Sequence, residues 1–579
     1  MRFLLTTSAS LALLLAASTI TFAQDTGPRS LTPRTLNPNA QQEQTPSTNP
    51  VPVKTISGGI NVQTLGDVSS EASGLLSGSN AFPSDMWNGV NRNFAERMIA
   101  KLPARPSAPY LRILQRRLLL SAATPPAGKA GPKSLVALRA EKLAQMGQIN
   151  DTSALINTAP QNLRNSDLAM LEARAYLVSD QVAKACTLAA QNIETGENPF
   201  WVKTLAFCRM MAKQGDQAML SLSLLKEMGD NDPVYYALMD ALHNEERGKV
   251  ESLPNPKALE IALIAASKAQ LSDQVRKTDD PNFLSYLTKA GDILAVERAV
   301  EFNLASADFL GQAYKSVEFK PEELDNPIAT AENLNAFKAQ ALLYQVTAKE
   351  GQLAVIRTET ISMALDLAVK SGNFFSISRL YRPFIADLSR TVDMLWFAPN
   401  ALRSLLAAGD WENAKAWYLM LRNASFTDAE AAKNWTSVRP LAALAGFDVS
   451  AEAVSQSLKN WWQAQPERPE SFAQANTLYA LSDGLGLNVP DHLWISLMDG
   501  PRLKSGLTPK PGIWIKMNKA AQAGRVGETM LMVLNGLGHD RASQLEANFL
   551  RDALAAMRLI GLQRDARAVA VETALQAGL

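Results

Sequence analysis

The chain has 579 residues, 47% hydrophobic and 20% charged, so most of it can bury a core, and its length calls for several domains or one long repeat array. Lys and Arg total 57 against 56 Asp and Glu, a balance that argues against a dedicated nucleic-acid binder, which shows a basic surplus. Two Cys exclude a disulfide-dense module, an iron–sulfur protein and a Cys-rich zinc domain.

In chain order, the N-terminus comes first. Arg2 precedes an apolar run through Leu11–Ala17, and small residues at Thr21 and Ala23 flank Phe22. This is the layout of a secretory signal peptide, with cleavage expected after Ala23. The apolar run is shorter than the ~20 residues that span hydrocarbon, so an anchor is the weaker alternative. No Cys lies near the cleavage point, so a lipoprotein signal is not expected. Removal of residues 1–23 takes away one Arg and no acid, which leaves a mature chain of zero formal charge. No later stretch is apolar enough to span a membrane. A soluble mature protein is expected, periplasmic or secreted in a bacterium, with no stable membrane insertion.

Residues 24–82 read as a Pro-, Thr-, Gln- and Ser-rich tether. Its first part holds Pro28, Pro33, Pro38, Pro46, Pro50 and Pro52 and no aromatic residue, so it buries too little to offset its ordering entropy. A flexible coil of that part reaches roughly 30 Å. It serves as a spacer or, alternatively, as a wall-crossing or partner-docking arm. Residues 56–82 add scattered apolar positions and are compatible with an extended strip laid on the body.

From about residue 83 the chain turns helical. Ser84–Asp85 is placed to cap a short helix, and Arg92–Leu102 has helical spacing. Leu334, Phe337, Ala341, Tyr344 and Ala348 fall on one helix face, as do Trp411, Ala414, Tyr418 and Leu421. Turns recur with one grammar: an Ala/Leu-rich helix, a Gly, then a polar residue opening the next helix. Ala212–Asp216, Lys289–Asp292, Val369–Asn373 and Ala407–Asp410 are examples. Gly supplies the left-handed C′ position and Asp or Asn caps the next helix. In the second half these glycines fall at Gly372, Gly409, Gly446, Gly484, Gly524 and Gly561, separated by 37, 37, 38, 40 and 37 residues. Gly147 and Gly215 are 68 apart with Asp180 near their midpoint.

Two helices per 34 to 40 residues resembles the tetratricopeptide and related α-solenoid families over roughly residues 105–579, at the level of period and turn grammar. The consensus Trp-Leu-Gly-Tyr signature is not matched. The whole chain is also similar to exported helical-repeat proteins of Gram-negative bacteria, a likeness that supplies no activity. The resulting expectation is an all-α fold, an α-hairpin repeat superhelix with an N-terminal array over 83–250, an irregular joint over 251–327 and a C-terminal array over 328–579. The joint is marked by Lys249–Pro256, Asp279–Pro281 and Phe319–Pro327.

Cys186 and Cys208 lie on helices flanking a turn at Gly196–Pro199, ten residues before the first turn residue and twelve after it. An antiparallel pair brings them level, and export supplies oxidising conditions, so a disulfide is expected. Two free buried thiols are the alternative. His243, His492 and His539 show no metal-ligand spacing, and no Gly-x-Ser-x-Gly elbow or phosphate loop occurs. No cofactor, metal or catalytic residue is expected. Glu470-Ser471-Phe472 is faintly similar to the Glu-Ser start of lytic transglycosylases, in which one acid cuts peptidoglycan; the Gly-Leu-Met-Gln signature that would come after it is missing. A solvated Glu at a helix start after Pro469 is the plainer reading. Trp461–Trp462 and Trp411/Trp417 read as inter-helix packing before sugar or peptide stacking. Arg116–Arg117 and Lys129–Lys133 read as solvated basic patches. The functional expectation is an exported scaffold or adaptor that grips another envelope protein or peptide. A peptidoglycan-acting protein related to a transglycosylase's superhelical arm is the alternative, and a purely structural surface protein the third class.

Overall fold

Side-chain caps start many of the helices. Asn91, Ser134, Asn165, Asp232, Asp292, Ser306, Asn335, Asp410, Asp428 and Ser450 each accept a hydrogen bond from the main chain of the first helical turn. Pro at the first helical position, as in Pro109–Leu120, Pro199–Met211 and Pro281–Lys289, uses a site where the missing N–H has no partner to lose. The computed structural model describes residues 71–193 and 198–579, and over them the fold is all-α, with 29 α-helices. The strands among them are two-residue segments, Lys249–Val250, just before the segment expected to be irregular, paired in parallel with Gln270–Leu271 inside it. The expectations for the signal peptide and for residues 24–70 lie outside the described residues.

The turn grammar holds at most positions. Gly372, Gly409, Gly446, Gly524 and Gly561 have φ between 67° and 88°, and so does Gly147 at 74°. At Gly409 the positive φ ends one helix, and the Asp410 carboxylate takes the Asn413 N–H at 3.2 Å to start the next. Asp180, at the midpoint of the first-half spacing, adopts the same conformation at φ 62°. Two positions differ from expectation. Gly215 opens the Gly215–Glu227 helix, and Lys213 takes the left-handed position at φ 63°. Gly486 does so in place of Gly484, which lies so close to the Ala547–Leu559 helix that a Cβ would meet the Arg551 oxygen at 2.6 Å. The 37-residue rhythm thus marks a packing contact at Gly484 and a backbone turn at the others.

Ser84–Asp85 caps no helix; residues 84–89 are turns, and Trp87 there is buried. The Arg92–Lys101 helix forms as expected. Of residues 56–82, the stretch Glu71–Phe82 is laid on the body, with a 3-10 turn at Gly78–Asn80. Glu71 pairs with Arg92 at 2.5 Å and accepts the Leu135 N–H at 3.0 Å. Leu76 receives the Ala122 N–H at 3.0 Å. A Cβ on Gly74 would stand 2.4 Å from the Ala122 nitrogen, so the small residues that read as a flexible tether permit this close backbone approach.

Consecutive helices pack in pairs, for example Pro199–Met211 on Gly215–Glu227, Ala336–Thr347 on Ala354–Ser371 and Pro511–Gln522 on Val526–Leu537. Other contacts are distant in sequence. Arg92–Lys101 packs on Val526–Leu537, and Pro109–Leu120 packs on Val526–Leu537 and on Gln563–Gln576. One hydrophobic core accordingly combines residues from Phe82 to Leu168 with residues from Val296 to Leu579, and a second runs from Leu177 to Ala299. A stack in which each hairpin touches only its neighbours would leave the first and last helices of residues 65–579 apart. Here they share one interior. No helix among the described residues is long and apolar enough to cross a membrane.

Candidate functional site

The contact between Pro109–Leu120 and the last helix, Gln563–Gln576, includes a polar cluster. Asp565 on Gln563–Gln576 accepts from the Tyr110 hydroxyl at 2.6 Å and from the Arg117 guanidinium at 2.7 and 3.2 Å. Further along the same helix, Glu572 Oε2 accepts the Tyr110 N–H at 2.8 Å. Glu572 Oε1 is buried without a hydrogen-bond partner in the protein. Burial pushes the Glu572 carboxyl up to about 7 and Glu301 adds to the rise, while the Tyr110 N–H, Arg112 and Arg379 act against it.

Arg112 and Arg379 both serve the end of the Ile293–Glu301 helix. Arg112 donates Nε to Pro106 O at 2.8 Å and Nη1 to Glu301 O, and lies over the Phe302 ring at 5.1 Å. Arg379 donates to Val300 O at 2.8 Å and to Asn303 Oδ1 at 2.5 Å. The last carbonyls of a helix carry partial negative charge and lack intrahelical donors, so two guanidinium groups satisfy and neutralise them. The Glu301 carboxylate in turn accepts from Ser376 Oγ at 2.5 Å. Burial lowers the pKa of both arginines.

Beside this cluster lies a cavity of about 500 Å³. The chain's beginning, middle and end all reach it: Ser107 and Arg112, then Glu301 to Arg403, then Arg541 to Leu579. Phe302, Leu365, Val369, Phe374, Phe375, Leu575 and Leu579 are its apolar lining residues. Arg403 Nε donates to Leu579 O at 3.2 Å, and Gln576 has a buried Oε1 with no partner.

A second feature is on Gly215–Glu227. Its Ala218, Leu222 and Leu225 are buried, whereas Leu220, Leu224 and Met228 are 66%, 54% and 83% exposed. Their i, i+4, i+8 spacing makes one outward apolar row.

The residues singled out by sequence are dispersed. Cys186 on Val182–Asn192 and Cys208 on Pro199–Met211 form a disulfide with a Cα–Cα distance of 5.7 Å. Glu470 is exposed in the first turn of Pro469–Gly484. Trp461 and Trp417 are buried; Trp462 meets Phe472 edge-on at 5.0 Å, and Trp411 meets Phe447 at 6.5 Å. His243, His492 and His539 are exposed, and no group of three metal-ligating side chains occurs among the described residues. Arg116 is not simply solvated: it forms a two-pronged pair with Asp151 at 2.5 and 2.8 Å. Arg117 departs further, since it lies over the Phe82 ring at 4.3 Å and pairs with Asp565. Lys129 is exposed, and Lys133 pairs with Glu141 at 2.8 Å near the surface.

The sequence reading missed Arg112, Arg379 and Glu572. One signal was present for Glu572, a single acid inside Ala570-Val571-Glu572-Thr573-Ala574. Comparison with protein-family models, with curated proteins and with solved structures finds no match.

Proposed function

We propose that the chain is an exported, tetratricopeptide-like hairpin scaffold that binds another protein of the bacterial cell envelope. The observation that carries this reading is the outward apolar row of Leu220, Leu224 and Met228 on a helix whose opposite face is fully packed. Large exposed apolar side chains aligned on one helix face favour a partner that covers them. Three further features support it: the consecutive packed helix pairs, the Cys186–Cys208 bridge, which suits an oxidising compartment, and the leader-like N-terminus.

The test is affinity capture of the tagged full-length protein from a cross-linked envelope fraction, beside the L220S/L224S/M228S variant. The expected result is a near-stoichiometric protein partner that the variant loses. Equal recovery with both proteins, or recovery of wall fragments alone, overturns the reading.

A further inference from the structure

The Ile293–Glu301 helix contributes to both hydrophobic cores: Val296 and Val300 to the larger, Ala295 and Ala299 to the smaller. Two arginines from helices of the larger core hold its last turn. Arg112, on Pro109–Leu120, donates to the Glu301 carbonyl. Arg379, on Phe374–Asp387, donates to Val300 O and to the Asn303 side chain. Both guanidinium groups also face Glu572, on Gln563–Gln576.

Two groups in this cluster are unsatisfied, and they are complementary. Glu572 Oε1 is a buried acceptor with no partner, and Arg379 Nε is a buried donor with no partner. Arg112 has nothing to spare, with Nε on Pro106 O, Nη1 on Glu301 O and Nη2 on Ser107 O at 3.4 Å. The groups that face Glu572 are Tyr110 and Arg112 from Pro109–Leu120, Glu301 from Ile293–Glu301 and Arg379 from Phe374–Asp387. Arginines on the other helices packed against Gln563–Gln576 turn elsewhere: Arg403 to Leu579 O, Arg439 to Asp448, Arg558 to Gly484 O, and Arg551 to Asp483 and Asp552. The Arg112 and Arg379 charges are set against the Glu301 carboxylate and the partial negative charge of the helix end. A neutral Glu572 keeps that set in balance. An ionised Glu572 adds a buried charge with one hydrogen bond, which favours a move of the free Arg379 donor toward it.

We propose that this cluster is a proton-controlled clamp between the two cores. With Glu572 protonated, Arg379 stays on the end of Ile293–Glu301; with Glu572 ionised, Arg379 is drawn to the carboxylate and the helix end is released. Burial holds the folded carboxyl at about 7, above the ordinary 4.5. The clamp is therefore firm below about 4.5, weakens as pH rises and levels off above about 7. It is separate from the helix row on Gly215–Glu227, so either can fail without the other.

Hydrogen exchange of the full-length protein tests it, at about pH 5.5 and about pH 7.5, with rates converted to protection factors so that the intrinsic pH dependence of exchange drops out. Protection in Ile293–Glu301 is expected to fall about tenfold or more between the two, with Ala451–Gln463, which makes none of these contacts, unchanged. Glu572→Gln is expected to keep the high protection at both pH values. Arg379→Met, which removes the clamping group, is expected to give the low protection at both. The proposal is overturned if wild-type protection in Ile293–Glu301 is the same at both pH values, if Glu572→Gln still responds to pH, if Arg379→Met retains the high protection, or if Ala451–Gln463 loses as much as Ile293–Glu301, which would be global loosening.

Discussion

Glu572 shows how a single buried carboxyl can govern the response to pH. It is 8% exposed, with one oxygen on the Tyr110 N–H and the other unpartnered. The groups facing it are Arg112, Arg379 and Glu301. Its folded pKa, about 7, lies above the ordinary 4.5. The folded chain therefore holds a proton that the unfolded chain releases between these values. Stability contributed by this group is greatest below about 4.5, falls as pH rises, and levels off above about 7. The full swing is at most about 3 kcal/mol. Glu572→Gln keeps an acceptor for Tyr110 and removes the charge. The variant is expected to denature at a higher urea midpoint than wild type at pH 8 and at a similar one at pH 5. An equal difference at both pH values would show that the carboxyl does not titrate in this range. The surrounding sequence could flag Glu572 as an acid among apolar residues. It could not say that Arg112, 460 positions away, would face it.

At the scale of single elements, local chemistry was legible because caps and turns involve neighbours in the chain. Asp410 caps the helix just after Gly409, and the Trp411, Ala414, Tyr418 and Leu421 face packs inward, with the last three fully buried. Gly484 and Gly215 broke the pattern because each meets a distant group, Arg551 in one case and His243 in the other. The Cys186–Cys208 bridge belongs to this scale too, since it joins adjacent helices across 22 positions. A loop of that length is expected to stabilise the pair by about 3 kcal/mol in the chain-entropy model. Two results are expected. The denatured, unreduced protein should show no free thiol on titration. The C186S/C208S variant should exchange amide hydrogens faster in Val182–Asn192 and Pro199–Met211 and unchanged in the helices of the larger core. Exchange unaltered in both helices would remove the bridge from the account of their stability.

For the body as a whole, the decisive contact is the one between its first and last helices. Besides Asp565 and Glu572, it includes Gly527 N to Met86 O at 2.8 Å, Ser107 N to Gly538 O at 3.0 Å and Asn535 Nδ2 to Met98 O at 3.2 Å. Trp87 closes over Gly527, where a Cβ would stand 2.5 Å from the ring. Such contacts couple the two ends, so damage at one should be felt at the other. Asp565→Ala leaves Arg117 and the Tyr110 hydroxyl without their acceptor in a largely buried setting. A loss of about 3 kcal/mol is expected. Hydrogen exchange should accelerate in both Pro109–Leu120 and Gln563–Gln576. Acceleration confined to Gln563–Gln576 would mean that the two ends are not energetically coupled.

The sequence by itself determined the helical class, the placement of most turns and the pairing of its two cysteines. Each depends on residues close together in the chain: a Gly that accepts positive φ, an Asp that reaches the next N–H, an apolar face repeating at helical spacing. Tertiary structure alone decided that Arg117 is a half-buried contact with Phe82 and Asp565 and not a solvated charge, that Glu71–Phe82 lies on the body, and that Arg112, Glu301 and Glu572 meet beside one cavity. Those outcomes depend on contacts across about 20 to 460 positions. A charged residue on a helix reads the same whether it will meet water or a partner from the other end of the chain, because the free energy that decides between them is set by the groups that folding brings to its side.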